Sequence, residues 1–230
     1  MRRPSIRQIG TILRIQGRLN HRIDANWLAN EYPFMRAVVV EVAEALDHYG
    51  WKWWSTQQRR LDQMTIELID ILGLLVSDVM QRCDGDIAAA AAHILQHCLT
   101  DNNICELDGV RHDLDGCGVP DLLDLLAALA VCHRDPFFVI ARLFERLGLT
   151  WEDVTMKFVA KTVLSVFRQD HGYKLGTYRK IWSGVEDNEH LSCVLTRLDA
   201  SAASDDSFFD RVYDELARRY RVHAVELDGT

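Results

Sequence analysis

The sequence has little proline, no long apolar run and no excess of positive charge. It contains 4 Pro and 13 Gly among 230 residues, which excludes collagen-like and low-complexity chains. Its hydrophobic content of 48% excludes intrinsic disorder, because such a chain can bury enough apolar surface to fold. Its net charge of −8 disfavours a partner that is a nucleic acid polymer, since proteins of that kind usually carry basic surfaces. The length predicts one domain over 1–230, or at most two small ones.

Segments for membrane insertion or export are also lacking. The most apolar stretches, 88–95 and 122–131, are shorter than the roughly 20 residues that a spanning helix needs. The basic start of the chain is followed by Arg7, Gln8 and Arg14, which interrupt any signal-peptide core. We therefore expect no membrane partner, a cytoplasmic location and reduced thiols at all six cysteines.

Apolar residues recur at helical spacing along almost the whole chain, and no useful stretch alternates with a period of two. Helices are predicted over 6–19, 34–46, 61–80, 121–131, 136–147, 151–167 and 207–220. The most loop-like stretch is 101–119, and 199–206 has the composition of an exposed acidic connector. The predicted fold class is therefore all-α, with 84–150 as an inserted or mobile helical subregion.

Two pairs of acidic residues at i and i+3 are the most informative local pattern. Glu41 and Glu44 lie in one predicted helix, and Glu67 and Asp70 lie in the next, so each pair projects from one helix face. The surrounding runs are apolar nearly all round, which is typical of buried helices. Because unpaired buried carboxylates are costly, they need protons or cations. Two facing pairs would form an oxygen-rich site suited to Mg²⁺, and the alternative is that each pair is solvated or salt-bridged.

Positive charge is concentrated between 161 and 188 in an otherwise acidic chain. The cationic residues there are Lys161, Arg168, Lys174, Arg179 and Lys180. Two Tyr and two Gly lie among them, and glycine permits close backbone approach while Arg and Lys donate charge-assisted hydrogen bonds to phosphate oxygens. A basic segment alone is usually a solvated surface. A basic segment in the same chain as a candidate Mg²⁺ site indicates polyphosphate chemistry.

In these features the chain resembles the dimeric, all-α dUTPases and their phage dCTPase–dUTPase relatives, within the wider all-α NTP pyrophosphohydrolases. The resemblance lies in 13–20, Asn26-Trp27, 36–44, Trp51-Lys52-Trp53-Trp54, Glu67-Leu68-Ile69-Asp70 and 161–188. It implies a helical bundle of that superfamily's type, working as a homodimer. It also implies Mg²⁺-dependent hydrolysis of dUTP, and commonly dUDP, to dUMP, with pyrophosphate released from dUTP.

The same resemblance implies roles for individual residues. The metal ligands and catalytic carboxylates would be Glu41, Glu44, Glu67 and Asp70, with Glu44 accepting a proton from the attacking water. The phosphate-binding residues would be Lys161, Arg168, Tyr173, Lys174, Lys180 and Asn188. The base and sugar would lie near Gln16, Asn20, Trp53 and Ser165.

Two departures from the family pattern concern base recognition. Ser165 stands where the family has an Asn whose amide reads the pyrimidine, and a hydroxyl offers one donor where an amide offers two. Leu72 and Gly73 stand where an aromatic residue followed by His is common. Three alternatives stay open: the same chemistry on dCTP or a C5-modified deoxypyrimidine, a non-catalytic nucleotide- or protein-binding relative, and an all-α scaffold with solvated acids.

A histidine pair outside these motifs has the spacing of a metal site. His93 and His97 lie at i and i+4, with Cys98 adjacent and Cys105 and Cys117 downstream, a set of ligands that Zn²⁺ accepts. The simpler interpretation is a helix with a polar face and buried thiols, and it is the one that the sequence favours.

Overall fold

The computed structural model of the protein describes residues 3–98, 103–197 and 207–228. Within these residues it has nine α-helices, one short 3-10 turn and two hairpins of two strands each, so the all-α prediction is confirmed. The acidic connector predicted at 199–206 lies outside the described residues. The chain divides into two compact units, Met1–Val154 and Thr155–Thr230.

The first unit contains six helices and one hairpin. The helices are α1 (Ile6–Ile23), α2 (Phe34–Tyr49), α3 (Leu61–Arg82), α4 (Ile87–His97), α5 (Val119–Val131) and α6 (Phe137–Arg146). The hairpin consists of β1 (Ile104–Leu107) and β2 (Val110–Asp113), paired antiparallel with Ile104 opposite Asp113. The described parts of 84–150 therefore form helices and a hairpin, in which α4 packs on α1 and α3 while α5 packs on α2.

The hairpin corrects the prediction that 101–119 is a loop. Residues 104–113 pair as two strands around a two-residue turn, in which Asp108 and Gly109 have φ of +51° and +78°. Asp-Gly with both residues in the left-handed region is the usual connection of a tight β-hairpin, because its twist matches that of the strands.

Helix α3 is the centre of the first unit. It packs against α1, α2, α4 and α6, and its apolar side chains are fully buried at Leu68, Ile71, Leu72, Leu75 and Val76. Helix α2 follows Pro33 as predicted, and it ends at Gly50, whose φ of +76° forms a left-handed C-terminal cap. Its burial differs from the expectation of a helix buried nearly all round. Val40 is 53% exposed and Ala43 is also exposed, so only one face of α2 is covered.

The second unit begins within α7 (Trp151–Asp170), which crosses the boundary between the units. A 3-10 turn (Tyr173–Leu175) follows, then a hairpin of β3 (Ile181–Trp182) and β4 (Val185–Glu186), then α8 (Asp187–Leu195) and α9 (Ser207–Asp228). Aromatic rings form much of its core: Phe167 and Trp182 are fully buried, with ring centroids 5.7 Å apart. Among the described residues no helix is both long and apolar enough to cross a membrane, and all six cysteines are free thiols.

Candidate functional site

Three of the four predicted metal ligands come together where α2 packs along α3. Carboxylate oxygens of Glu41, Glu67 and Asp70 lie within 4.8 Å of one another. Glu67 is 3% exposed, while Glu41 and Asp70 are half-buried. We call these three residues the carboxylate group. Two helices therefore contribute acids to a single partly buried patch, with one acid from α2 and two from α3 where two from each were expected.

Glu44 does not join the carboxylate group. It is exposed and lies one turn beyond Glu41 on α2. The other three acids have carboxylate oxygens close together, and those of Glu44 are not among them, so its predicted role as a metal ligand stays a prediction. Its exposure leaves the carboxylate accessible to water, which a residue that takes a proton from a water molecule requires.

His48 is a neighbour of the carboxylate group that sequence reasoning missed. Its Nε2 lies 3.5 Å from Oε1 of Glu67, and both side chains are largely covered. His48 is seven residues after Glu41 on α2, and a separation of seven places two side chains on the same helix face. That spacing was the signal in the sequence from which His48 could have been found.

The chemistry of the carboxylate group fits a hard divalent cation. Three carboxylates whose oxygens lie within 4.8 Å repel one another, and one of them is buried where a bare charge is costly. Carboxylate oxygens are the ligands that hard divalent ions prefer. The residues present therefore suit an ion of that class.

In the second unit, most of the predicted phosphate-binding residues form one connected cluster. Lys161 Nζ donates to Oδ1 of Asn188 at 2.8 Å, and the Arg168 guanidinium donates to the same oxygen at 3.3 Å. Lys161 is buried at 4% exposure, an unusual place for a lysine, and its amide partner satisfies one of its donors. The second half of α7 and the start of α8 therefore place an arginine, a lysine and an asparagine together.

Tyr173 extends this cluster onto the 3-10 turn. Its ring centroid lies 5.9 Å from Cζ of Arg168 and 5.8 Å from Nζ of Lys180. Lys174, the next residue, is exposed. Five of the six predicted phosphate-binding residues are thus linked by contacts within the second unit, and the sixth adjoins them in the chain.

Asp187 holds this cluster in place, and sequence reasoning gave it no role. Its two carboxylate oxygens accept from Nε and from a terminal nitrogen of Arg168, both at 2.8 Å, and Oδ2 also accepts from the Tyr178 hydroxyl at 2.8 Å. Burial alone raises the pKa of this 1% exposed carboxyl, but the hydrogen bonds and charge of Arg168 bring that pKa below its usual range. Burial beside the Asp187 charge also raises the pKa of Tyr178.

The turn between α7 and the 3-10 segment depends on Gly172. This residue has φ of +88°, and a Cβ there would lie 2.1 Å from Oγ1 of Thr177. The Thr177 hydroxyl donates to the Gly172 carbonyl oxygen at 3.2 Å and closes the turn. Glycine was expected in this segment because it lets the backbone approach a phosphate closely. At position 172 the structure shows that glycine is needed to form the turn itself.

The four residues predicted to contact base and sugar differ in burial and in hydrogen bonding. The Gln16 amide donates to Asn20 at 2.8 Å, and the Asn20 amide donates to Ser77 at 2.9 Å. Asn20 is 7% exposed, so part of its amide joins α1 to α3. Trp53 is 88% exposed and makes an edge contact with a neighbouring Trp, while Ser165 is half-buried on α7.

The two positions that depart from the family pattern on α3 are packed in the core. Leu72 is fully buried, and Gly73 is also buried. The carbonyl oxygen of Gly73 accepts from the Ser77 hydroxyl at 2.7 Å, which in turn receives the Asn20 amide. The backbone at Gly73 is therefore connected by hydrogen bonds, through Ser77, to one of the residues predicted to lie near the sugar.

Comparison with known proteins identifies the family of the chain. The chain matches the family model described as dUTPase over residues 8–173, which is more than two thirds of its length. The match runs through 84–150, where no motif of the family had been recognised, and it ends inside the basic segment. A search of curated proteins gives no match. The chain therefore belongs to the family of all-α dUTPases and is a nucleoside triphosphate pyrophosphohydrolase.

Proposed function

We propose that the protein hydrolyses a deoxypyrimidine nucleoside triphosphate with Mg²⁺, that dUTP is its preferred substrate, and that dUDP is also cleaved. The product is dUMP, with pyrophosphate released from dUTP. The observation that carries this proposal is the carboxylate group, formed by two helices in a chain that belongs to a family whose enzymes use a divalent metal ion.

Glu41, Glu67 and Asp70 would hold the ion, and Glu44 is proposed as a further ligand or as the base. When bound, Mg²⁺ neutralises phosphate charge and polarises a phosphoryl oxygen. The exposed carboxylate of Glu44 orients the attacking water and accepts its proton, a role that typically contributes 10²–10⁴-fold to the rate. His48 contacts Glu67 and limits the orientations of this buried carboxylate.

The cationic residues of the second unit are proposed to bind the phosphates. Arg168, Lys180 and Lys174 supply positive charge, and Lys161, Tyr173 and Asn188 supply hydrogen-bond donors to phosphate oxygens. Asp187 fixes the Arg168 guanidinium by two hydrogen bonds, so less side-chain freedom remains to be lost when a phosphate binds.

Base selection is proposed to involve Gln16, Asn20, Trp53 and Ser165. The half-buried Ser165 hydroxyl favours a second candidate substrate class, because it cannot make the pair of hydrogen bonds that an amide makes to uracil. That class comprises dCTP and C5-modified deoxypyrimidine nucleotides. We also propose, from the family resemblance, that the enzyme is a homodimer and works in the cytoplasm.

The test is a product assay across dUTP, dUDP, dCTP, dTTP and 5-hydroxymethyl-dUTP, with Mg²⁺ or with EDTA. We expect pyrophosphate and dUMP from dUTP only when Mg²⁺ is present. If the enzyme strictly prefers dCTP or the modified nucleotide, that compound replaces dUTP as the proposed substrate. Nucleotide binding without turnover of any compound would instead establish the non-catalytic alternative. Sedimentation of the same sample tests the dimer.

Two variants separate the metal-binding role of Glu67 from the general-base role of Glu44. Glu67→Gln should abolish both turnover and the rise in melting temperature that Mg²⁺ produces, because ligands stabilise the state they bind. Glu44→Gln should lower kcat by about 10²–10⁴-fold and keep the thermal shift. Glu106→Gln, at an exposed position on β1, is the matched control and should behave as wild type. Full activity of Glu67→Gln would contradict the assignment of the carboxylate group.

A further inference from the structure

A second group of metal-ligating side chains lies in the first unit, on elements that do not form the carboxylate group. His93 and His97 stand one turn apart on α4, with their rings stacked and centroids 4.2 Å apart. Asp135, in the turn between α5 and α6, places Oδ2 2.9 Å from Nε2 of His93 and 3.8 Å from Nε2 of His97. The three residues each offer one ligand atom within 4.8 Å of the others.

The hydrogen bonding of His97 prepares its Nε2 to bind a metal. Its Nδ1 lies 2.9 Å from the backbone carbonyl oxygen of His93. Because a carbonyl oxygen only accepts, Nδ1 carries the hydrogen and donates it, which leaves the lone pair of a neutral imidazole on Nε2. Histidine ligands of metal ions are commonly oriented by such a bond from the other ring nitrogen. The free lone pair is on the side that approaches the Asp135 carboxylate.

Asp135 is held by a cation on its other oxygen. Arg82 pairs with Oδ1 of Asp135 and also with Oδ2 of Asp78, the latter at 2.9 Å. Arg82 thus fixes the carboxylate and leaves Oδ2 directed at the two imidazoles. The two acids and one arginine sum to one negative charge when the histidines are neutral. His97 also lies in the last turn of α4, where the helix dipole favours a cation.

The cysteines that adjoin this histidine pair in sequence are not part of the group. Cys98, Cys105 and Cys117 were the further ligands considered for zinc, and within the described residues none of them joins His93 and His97. The third ligand is instead a carboxylate 42 residues after His93. Sequence spacing could not have indicated it, because the packing of α4 against α6 brings it near.

We propose that His93, His97 and Asp135 bind one divalent transition-metal ion, with Zn²⁺ as the ion that this ligand set suits best. Two imidazole nitrogens and one carboxylate oxygen are common zinc ligands, whereas Mg²⁺ prefers oxygen ligands alone. Binding through Nε2 uses the neutral His93 tautomer with its hydrogen on Nδ1, so the hydrogen between His93 Nε2 and Asp135 moves to Nδ1 and no net proton is released. The ligand side chains are 15–37% exposed, which gives an ion access.

Such an ion would join the C-terminal end of α4 to the turn that precedes α6. The site is separate from the carboxylate group and does not depend on the proposed substrate. Zinc bound there should therefore stabilise the fold independently of nucleotide.

The experiment uses the full chain, stripped with EDTA and returned to excess Mg²⁺ so that the carboxylate group is occupied. Calorimetric titration with ZnCl₂ should show one equivalent bound, together with a higher melting temperature. His97→Gln and Asp135→Asn should weaken binding at least about 100-fold, since loss of even an orienting partner of a ligand costs 10–100-fold. The matched control is His112→Gln on β2, which should bind as wild type.

A second measurement needs no variant and therefore does not depend on their folding. Zn²⁺ should protect His93 and His97 of the wild-type chain from diethyl pyrocarbonate, read by peptide mass spectrometry, while His112 remains reactive. Equal zinc affinity in wild type and His97→Gln would overturn the proposal. So would zinc binding that disappears in Glu67→Gln, which would assign the ion to the carboxylate group.

Discussion

Removal of the Asp187 charge tests whether one buried carboxylate holds the phosphate-binding cluster. Asp187 is 1% exposed and its partner Arg168 is 13% exposed, so solvent screens this pair little. Asp187→Asn keeps the shape of the side chain but leaves the Arg168 guanidinium without its countercharge. Breaking a buried pair by removing one partner costs about 3–5 kcal/mol. Because the asparagine oxygen still accepts one hydrogen bond, we expect the lower end, about 3 kcal/mol.

The pH dependence gives this prediction a second, independent readout. The pKa of Asp187 is lower in the folded chain than in the unfolded chain, where it is about 3.9. Its stabilising effect is therefore complete above that value and is lost as the pH falls through the folded-state pKa. The difference in free energy of unfolding between wild type and Asp187→Asn should be constant from pH 7 to about 5 and should shrink below about pH 4.

Urea unfolding followed by far-UV circular dichroism, at several pH values, measures both effects. Asp170→Asn is the matched control, since Asp170 is an exposed carboxylate in the same unit that accepts from the Tyr213 hydroxyl at 2.9 Å. It should change stability by no more than about 0.5 kcal/mol. The reasoning is refuted if Asp187→Asn matches wild type at pH 7, or if the difference between them persists unchanged below pH 4.

Two further predictions concern a turn and a thiol. Gly172→Ala should lower the free energy of unfolding more than Gly176→Ala does. Both positions have positive φ, which costs a residue with a Cβ about 1–2 kcal/mol, but only the Cβ at 172 meets another atom within 4 Å. Equal losses of stability in urea unfolding would contradict this. At pH 8, iodoacetamide should alkylate the exposed Cys132 well before Cys98, because burial raises the pKa of the Cys98 thiol to about 12. Equal labelling of the two cysteines in a timed mass-spectrometric assay would contradict this prediction.

The sequence predicted the starts of most helices better than their ends. The start of α2 was placed correctly at Phe34 because Pro33 marks it, but the helix runs three residues past 46 to Tyr49. Its end is set by the left-handed cap at Gly50 and not by the last apolar residue. Helix α4 was expected only around His93 and His97 and was given no bounds, because its run of alanines gives little contrast between faces, although Asp86 caps it by accepting from Ala88.

Helix geometry explains why Glu41 and Glu44 have different surroundings. At about 100° per residue, the buried residues Met35, Val38, Val42 and Ala45 form a stripe on one face of α2. Glu41 lies roughly 80° from the centre of that stripe and Glu44 about 140° from it. The first is therefore half-buried at the edge of the interface with α3, and the second is exposed. The i, i+3 spacing identified the pair, but only the position of the stripe decides which acid faces α3.

Asp187 and Asp135 show what local spacing leaves out. Asp187 binds Arg168 from 19 residues away, and Asp135 contacts His93 from 42 residues away, so neither pairing has a periodic signature. Each acid is mostly covered and pairs with an arginine, Asp187 with Arg168 and Asp135 with Arg82. In a chain with a net charge of −8, acidic residues are too frequent for their identity to mark these two. They are distinguished by burial, which depends on tertiary packing, and the charge that each one compensates is what makes its position necessary.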